Sequence, residues 1–560
     1  MRDKLAEHGA FLAAFVGVLV VGTVARVLWI GAESLRLDEA QSIWQASHSM
    51  EFIRTYMLKN VHLPLHNTLL HVWMQLFGTS EAAVRMLAVI PGVLLMPVTY
   101  ALAREFMHRN WAVFCMGLVA ISPFFVWYSR EIRMYSLLAL IATLSHLCFI
   151  RALREDKVGW YLAYAAVGLV GIYTHYFFLL VLFVHLVFFL ATWKVVWGSE
   201  RTHKVRQLVA FGLVAGGLLI AFAPWLYGLV TTYGSGSLAP IFGRPTSFNM
   251  ALSLFEFIFG YQPQWITGLL FALWPLLTLF GFFFLAKRSR IPPLVWLLLL
   301  GILLPILIAF VVSVTWKPLF LTRYLTVSAA PLYVLIAWFA SELPRWQRTA
   351  AVSIGALLVV MLGIQQFSPA NPAKEDYLDA VIYLEAETTS RDIVVLAPPY
   401  LIYPFQYYYN GPARITSMPI WDKREGAIPL VTPEQLARDA ESIKGSHKRI
   451  FLLVGSDLLG AREAQDYFDH HLTKLDKWQF SQNLFVHVYQ AEYPDAQTAT
   501  TTSERVHTVV YGDTFSDILW RYYGNFASFS AVVRANNIQD IDIIHVGQVL
   551  ILPSSTIEGT

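Results

Sequence analysis

Long apolar runs separated by short polar loops make up the first two thirds of the chain. Runs of about 17 to 25 apolar residues have the length that a helix needs to cross a bilayer. The sequence therefore predicts a polytopic α-helical membrane protein with about eleven spans. They lie near residues 10–30, 82–102, 111–128, 134–151, 159–174, 177–195, 208–229, 265–286, 293–315, 320–340 and 349–366.

Basic residues collect in every second loop between these runs. Arg104 and Arg109 lie between the second and third runs, and Lys287 and Arg288 follow the eighth. Short basic loops mark the cytoplasmic side of a membrane protein. We therefore expect a cytoplasmic N-terminus and an extracytoplasmic tail after about residue 367. Polar groups then collect at the outer ends of the helices, whereas the cytoplasmic loops carry mainly basic residues.

Composition supports this membrane assignment. Of 560 residues, 56% are hydrophobic and 14% charged, with a mean hydropathy of +0.52, whereas soluble proteins carry nearer a quarter charged residues. The net charge of +3 is too small to indicate a nucleic-acid partner. Cys115 and Cys148 lie inside apolar runs and give neither a disulfide framework nor metal-ligand spacing.

The pattern changes after the last apolar run. Short runs rich in Val, Ile and Phe alternate with helix-like stretches, which predicts a small extracytoplasmic α/β domain at 367–493. Residues 494–504 are polar and Thr-rich and are predicted to form a linker. The remaining parts are a membrane domain at 1–366 and a compact unit at 505–554.

The last unit resembles a LysM domain over nearly its whole length. The matching residues are Gly512, Asp513, Thr514, Tyr523, Gly524, Ala535, Asn536, Asn537, Gly547, Gln548 and the stretch 550–553. The resemblance implies a βααβ module that binds N-acetylglucosamine-containing glycans, in bacteria peptidoglycan. The implied glycan-binding residues are Gly512, Asp513, Thr514, Asn537 and Ile538. The alternative is that Asp513 caps a helix and Asn536 closes a turn.

Adjacent carboxylates, Asp38 and Glu39, lie in the stretch Glu33–Gln45, which follows directly on the first apolar run. Ionisable residues at a membrane are costly and are usually paired or functional. Histidines follow in the same outer loop, and cationic residues stand at two later helix junctions. A carboxylate can accept a proton from an attacking hydroxyl, and cations can hold a leaving phosphate. A cleft open to the bilayer would admit a lipid-linked substrate.

Several stretches resemble the glycosyltransferase family 39-like group of the GT-C superfamily, which includes protein O-mannosyltransferases. They are "LRLDEA", "HLPLHN", "EAAVRMLAVIPGVLLMPVTYALAREF", "SPFFVWYSREIRMYSLLAL" and "FLTRYLTVSAAP", and the resemblance covers about residues 10–340. The family more often shows His-Pro-Pro where this chain has "HLPLHN". The resemblance implies hexosyl or pentosyl transfer from a polyprenyl-phosphate sugar, with inversion at the anomeric carbon.

The resemblance also assigns roles to residues. Asp38 matches the catalytic acidic position and would be the general base, with Glu39 assisting it or holding a neighbouring arginine. Candidates for the donor phosphate are Arg130, Arg133, Lys317 and Arg323, and candidates for lining the site are His62, His66, His175 and Tyr324. No metal is required, although a divalent cation on Glu39 and a histidine is an alternative. An arginine at a helix end can instead be an interfacial anchor.

The leading prediction is a glycosyltransferase of the bacterial cell membrane that its LysM module holds near peptidoglycan. A transporter or flippase for a lipid-linked glycan is the rival. A transporter should carry polar groups at mid-membrane, whereas the charges of this chain are predicted at one end of the helices, which disfavours this alternative. Further alternatives are a glycan polymerase or ligase and a wall-binding anchor. The sequence identifies neither the sugar nor the acceptor, which could be a protein, a lipid or a polysaccharide.

Overall fold

The structure of the chain is a computed structural model that forms two compact units. It describes residues 2–192, 201–233, 243–272, 291–343, 345–367, 376–424, 431–444, 447–455, 460–481, 483–491, 505–510, 513, 515–523, 532–533, 535–536, 538 and 544–552. The first unit comprises Met1–Glu33 and Ser42–Ala373, and the second comprises Ser34–Gln41 and Lys374–Thr560. The short segment Ser34–Gln41, which carries both candidate carboxylates, thus groups with the C-terminal part of the chain.

Helices are the only regular secondary structure among the described residues of the first unit. Its helices are α1 (Arg2–Val27), α2 (Leu37–Ala46, which begins in the second unit), α3 (Met50–Lys59), α4 (Leu65–Phe77), α5 (Glu81–Ala103), α6 (Arg109–Ala120), α7 (Pro123–Ser129), α8 (Tyr135–Glu155), α9 (Val158–Thr174), α10 (Phe178–Thr192), α11 (Arg201–Tyr233), α12 (Ser247–Phe259), α13 (Pro293–Thr315), α14 (Ala329–Ser341) and α15 (Gln347–Phe367). A 3₁₀ helix, Thr322–Ser328, leads into α14.

Seven of the described helical segments are long and apolar enough to cross a membrane, or eight if the bent pair α6 and α7 is one span. This confirms the polytopic helical class. Helices α9, α10 and α12 are apolar but shorter. The predicted span at 265–286 lies mostly outside the described residues, so the count of about eleven stays a prediction.

The bend between α6 and α7 measures 58° and has a local cause. Ser122 caps α7 with its hydroxyl, and Pro123 occupies the first position of that helix. The buried guanidinium of Arg26 on α1 donates hydrogen bonds to the carbonyl groups of Val119 (3.1 Å) and Ala120 (2.9 Å). These carbonyls at the end of α6 lack helical partners, so Arg26 stabilises the break.

A five-stranded mixed sheet forms the core of the second unit. Its strands are β1 (Ile393–Ala397), β2 (Arg414–Ser417), β3 (Arg449–Val454), β4 (Thr473–Ser481) and β5 (Leu484–Gln490), in the order β2-β1-β3-β5-β4. Strand β1 pairs in parallel with β2 and β3, while β5 pairs antiparallel with β3 and β4. All five residues of β1 are buried, as expected for a central strand.

Helices cover this sheet, and a small module follows it. The helices are α16 (Tyr377–Glu387), α17 (Ile402–Tyr408), α18 (Pro433–Lys444) and α19 (Ala461–His471). In the module, β6 (Arg505–Thr508) pairs antiparallel with β7 (Val549–Leu552), and α20 (Phe515–Tyr523) lies between them in sequence. Phe515, Ile518 and Leu519 of α20 pack with Leu550 and Leu552 of β7 in one apolar cluster. The α/β domain and the strand-helix-strand module are thus both present.

Candidate functional site at the helix ends

His66 and Arg133 form the first part of the candidate site. His66 lies in the first turn of α4, and Arg133 lies between α7 and α8. Burial, with the nearby Arg133 guanidinium, lowers the pKa of His66 to about 3. The imidazole is therefore neutral at physiological pH, and its Nε2 has no hydrogen-bond partner within the described part of the chain. The pair combines one fixed cation with one neutral polar ring.

His175, at the C-terminal cap of α9, also belongs to this group. Burial lowers the pKa of His175 to about 3, and electrostatic interactions with His62, Arg133 and Arg323 add to the effect. The ring of His175 lies 5.1 Å from that of Tyr324, measured between centroids. Six residues that the sequence proposed for the site, from four separate loops or helix ends, thus converge. They are His62, His66, Arg133, His175, Arg323 and Tyr324.

Tyr135 and Phe177 complete this group, and the sequence had not assigned them. The Tyr135 ring lies 6.2 Å from His175 and 6.4 Å from Tyr324. The Phe177 amide donates to Nδ1 of His175 at 3.1 Å and fixes the orientation of that ring. We call these eight residues the outer cluster.

A cavity of about 200 Å³ opens beside the outer cluster. His66, Arg133 and Ser136 are the polar residues of its wall. The other lining residues are apolar and come from α4, α5 and α8: Leu69, Leu87, Ala88, Ile90, Pro91, Leu94, Leu137 and Leu140. The cavity therefore has one cationic region and long hydrocarbon walls, which suits an amphiphile with an anionic head.

Arg130 has a different environment from Arg133. Its Nη2 donates to the Trp29 carbonyl at 3.1 Å. Arg85 serves the same stretch of backbone, since it donates to the carbonyls of Ile30 (2.8 Å) and Glu33 (2.9 Å). Both arginines thereby hold the turn that follows α1. The role of Arg130 in phosphate binding stays a prediction, as does that of Lys317, which lies between α13 and the 3₁₀ helix.

Asp38 and Glu39 occupy the first turn of α2. Glu39 is fully buried, and its Oε2 accepts a hydrogen bond from the Arg36 amide at 2.9 Å. A glutamate at the third helical position that reaches back to the amide before the helix is half of a capping box. Glu39 therefore has a structural role, while Asp38 is partly exposed. Ser42, one turn after Asp38 in α2, accepts a hydrogen bond from Nη1 of Arg133 at 3.3 Å.

Sequence reasoning missed Glu256, the single acidic residue of the apolar helix α12. Burial raises its pKa to about 7, and a hydrogen bond from Thr322 opposes this shift. Thr322 also lies 3.1 Å from the Ser253 hydroxyl, and it directly precedes Arg323 in the 3₁₀ helix. Glu256 thus stabilises the start of the segment that carries Arg323 and Tyr324. A lone acid within an apolar helix was the available signal.

In the C-terminal module, the Asp513 side chain is fully buried. Its carboxylate accepts a hydrogen bond from the Val510 amide at 3.0 Å, lies 2.7 Å from Nε2 of His507 and pairs with Arg414 of β2. Asn536 bonds the backbone of Ile551 in both directions. Ile538 packs against the apolar cluster of the module, and Gly512, Thr514 and Asn537 lie outside the described residues.

Comparisons with known families agree with this architecture. Residues 61–227 match the model of the dolichyl-phosphate-mannose-protein mannosyltransferase family, and residues 507–553 match that of the LysM domain. Part of the helical unit is therefore similar to this mannosyltransferase family, and the C-terminal module is similar to a LysM domain, which confirms the predicted resemblance. Among curated proteins, none matches this chain.

Two solved structures of ArnT from Cupriavidus metallidurans share the fold. The apo structure is 14% identical in sequence, with a TM-score of 0.54, and the match covers 86% of this chain and 98% of that one. The structure bound to undecaprenyl phosphate is 15% identical, with a TM-score of 0.51 and the same coverage. At this identity the likeness extends to the fold alone.

Proposed function

We propose that this protein transfers a sugar from a polyprenyl-phosphate carrier to an acceptor on the extracytoplasmic side of a bacterial cell membrane. The cavity beside the outer cluster carries the proposal, because Arg133 and His66 adjoin walls that are otherwise almost wholly apolar. A polyprenyl phosphate has the matching chemistry, an anionic head on a long hydrocarbon chain. The ArnT structure solved with undecaprenyl phosphate gives a precedent within the same fold.

In this proposal the arginines of the outer cluster stabilise the leaving group. When the bond from the sugar to phosphate breaks, negative charge grows on the phosphate oxygens. Guanidinium groups bind phosphate in fixed, bidentate geometry, and they are already ordered before the reaction begins. Arg133 and Arg323 can supply this charge without a metal ion. A resident divalent cation remains an alternative, and sensitivity of transfer to a chelator would favour it.

Asp38 is the proposed general base. A carboxylate that accepts the proton of the acceptor hydroxyl lets the oxygen attack the anomeric carbon as the phosphate leaves. Attack opposite to the leaving group inverts the configuration of that carbon. Glu39 cannot serve equally, because it is fully buried and its Oε2 binds the Arg36 amide. We therefore assign the proton transfer to Asp38 and the local backbone geometry to Glu39.

The LysM domain gives the proposed enzyme a tether. We propose that it binds peptidoglycan, which would keep the transferase near the wall and favour acceptors located there. Sedimentation of the full chain in nanodiscs with insoluble peptidoglycan tests this part. Recovery in the supernatant, with a known LysM protein in the pellet, would refute the tether but not the transferase.

Asp38→Asn tests the transferase proposal. The protein in nanodiscs would receive undecaprenyl-phosphate-linked mannose, glucose or arabinose, with cell envelope as acceptor, and transfer of the labelled sugar would be measured. Loss of a general base typically lowers the rate by about 10²- to 10⁴-fold. Affinity for undecaprenyl phosphate should stay unchanged, because Asp38 does not bind the phosphate in this mechanism. Sugar transfer by Asp38→Asn at the wild-type rate would refute the assignment of Asp38 as the general base.

A further inference from the structure

The backbone just before α2 is held by two hydrogen bonds of different origin. The Leu35 amide donates to the hydroxyl of Tyr408 at 2.7 Å, and the Arg36 amide donates to Glu39 at 2.9 Å. Leu35 is itself fully buried. Tyr408 is the last residue of α17 in the α/β domain and lies 373 positions further along the chain. The start of α2 is thus fixed once by its own helix and once by the α/β domain.

Helix α17 is well suited to hold a defined position. Ile402 and Phe405 are fully buried in the α/β domain, and the Phe405 ring stacks on that of Tyr409 with centroids 4.7 Å apart. Gln406 on the same helix accepts a hydrogen bond from Lys423, whose ammonium group also lies 5.6 Å from the centre of the Tyr403 ring. Contacts on several sides therefore restrain α17. The Tyr408 hydroxyl is therefore attached to a helix whose position is well defined.

Asp38 follows the anchored amide of Leu35 by three residues. Contacts of the residues just before a helix fix the angle at which the chain enters its first turn, and the first turn of α2 carries Asp38. A proton acceptor must lie within hydrogen-bond reach of the reacting hydroxyl. Displacement of a catalytic group by about 1 Å can cost about 10²-fold in rate. Loss of a contact that fixes this turn should therefore lower the turnover number.

We propose that Tyr408 is a positioning residue for Asp38, and that the α/β domain thereby takes part in the transfer reaction. The inference rests on the proposed base role of Asp38. Tyr408 itself contacts neither sugar nor phosphate in this account. Its loss should lower the turnover number and leave the affinity for the lipid carrier unchanged. The α/β domain then has a function of its own beyond linking the membrane unit to the LysM domain.

Tyr408→Phe removes the hydroxyl and retains the ring. Tyr383→Phe is the matched control, because Tyr383 lies on α16 of the same domain and packs its ring against Trp478 and Phe480. The first measurement is hydrogen exchange of the peptide that contains Leu35, in the full chain in nanodiscs. We expect faster exchange in Tyr408→Phe than in the wild type, and no change in Tyr383→Phe. Unchanged exchange in Tyr408→Phe would overturn the proposal.

The second measurement is the turnover number for sugar transfer, together with the dissociation constant for undecaprenyl phosphate. We expect turnover to fall about 10-fold or more in Tyr408→Phe, with an unchanged dissociation constant and wild-type values for Tyr383→Phe. Faster exchange with wild-type turnover would show that the contact is structural only and would overturn the positioning role. If the wild type itself transfers no sugar, the proposed function fails, and the positioning role fails with it, while the exchange result still reports on the contact.

Discussion

Two groups of polar residues in the helical unit differ in where they lie along their helices. The outer cluster stands at helix ends, contains Arg133 and Arg323, and adjoins an amphiphilic cavity. The second group stands in the middle of α8, α9 and α10, where His185 lies 2.9 Å from both the Tyr164 hydroxyl and Nδ1 of His146. We call it the mid-helix chain. Both groups contain buried histidines, such as His66 and His185, so burial alone does not distinguish a functional site.

The difference lies in charge and in the cavity that each group borders. The mid-helix chain consists of tyrosine and histidine side chains, which can all be neutral and which form hydrogen bonds mainly with one another. The cavity beside it, of about 350 Å³, is lined by apolar residues apart from Tyr164 and His185. A phosphate would find there no guanidinium among the described lining residues. Polar groups in the middle of apolar helices are also what a transporter would need, so the mid-helix chain is the observation on which that rival rests.

The largest effect on carrier binding is expected for Arg133→Ala. Loss of a charged hydrogen bond costs about 1.5 to 3 kcal/mol, and about 1.4 kcal/mol corresponds to tenfold in affinity. We therefore expect about 10- to 100-fold weaker binding of undecaprenyl phosphate, measured by titration of the protein in nanodiscs. Arg109→Ala is the control, because Arg109 begins α6 and lies 3.8 Å from Glu7. Equal losses in both variants would remove the distinction between the outer cluster and other cationic helix ends.

A smaller effect is expected from pH, through the stability of the outer cluster. His66 has a folded-state pKa of about 3, below the unfolded value of 6.5. The unfolded chain therefore gains a proton as pH falls below 6.5, while the folded chain stays neutral until about pH 3. The stability that neutral His66 contributes to the folded chain is fully present above pH 6.5. Below that pH it is lost by about 1.4 kcal/mol per pH unit. His175 behaves alike.

Thermal unfolding in nanodiscs at about pH 7.5 and about pH 5 measures this effect. The melting temperature of the wild type should fall on acidification, and that of His66→Gln should fall less. The effect should be equal in the absence and presence of cell envelope, since it depends on proton binding by the folded and unfolded chain and not on an acceptor. A melting temperature of His66→Gln that falls as far as that of the wild type would show that His66 is not held neutral.

The smallest effect on transfer is expected for His185→Phe. The substitution removes both partners' contacts and leaves polar atoms of Tyr164 and His146 buried, which costs about 1 to 3 kcal/mol of stability. We expect a lower melting temperature, with transfer and carrier binding within about twofold of wild type. Loss of transfer with retained folding would assign function to the mid-helix chain. Flux of labelled lipid carrier across liposomes would then test the transporter.

The sequence predicted those features that depend on local pattern. The lengths of the apolar runs predicted the helices. The expectation that polar groups collect at the outer ends of the helices pointed to five residues of the outer cluster, namely His62, His66, His175, Arg133 and Arg323. The hydrogen bond from Leu35 to Tyr408 could not be predicted, because it joins residues 373 positions apart. The role of Glu39 was open for another reason. A glutamate beside an aspartate looks equivalent in sequence, and only the bond to the Arg36 amide separates them.

Long-range neighbours also decide which arginines form the outer cluster. Arg130 and Arg133 lie three residues apart and looked alike in sequence, yet Arg130 binds the Trp29 carbonyl while Arg133 adjoins His66 and the cavity. Likewise, Asp513 has the position of a glycan-binding residue in the LysM resemblance, but its carboxylate is buried against Arg414 and His507. Its part in glycan binding stays a prediction.

The central claim is that the outer cluster binds the phosphate of a lipid carrier, and a structure determined with undecaprenyl phosphate tests it most directly. We predict density for the phosphate against the Arg133 guanidinium, with the hydrocarbon chain along the apolar walls formed by α4, α5 and α8. Density for the lipid in the cavity beside the mid-helix chain, with Arg133 unchanged and without a phosphate, would contradict the account.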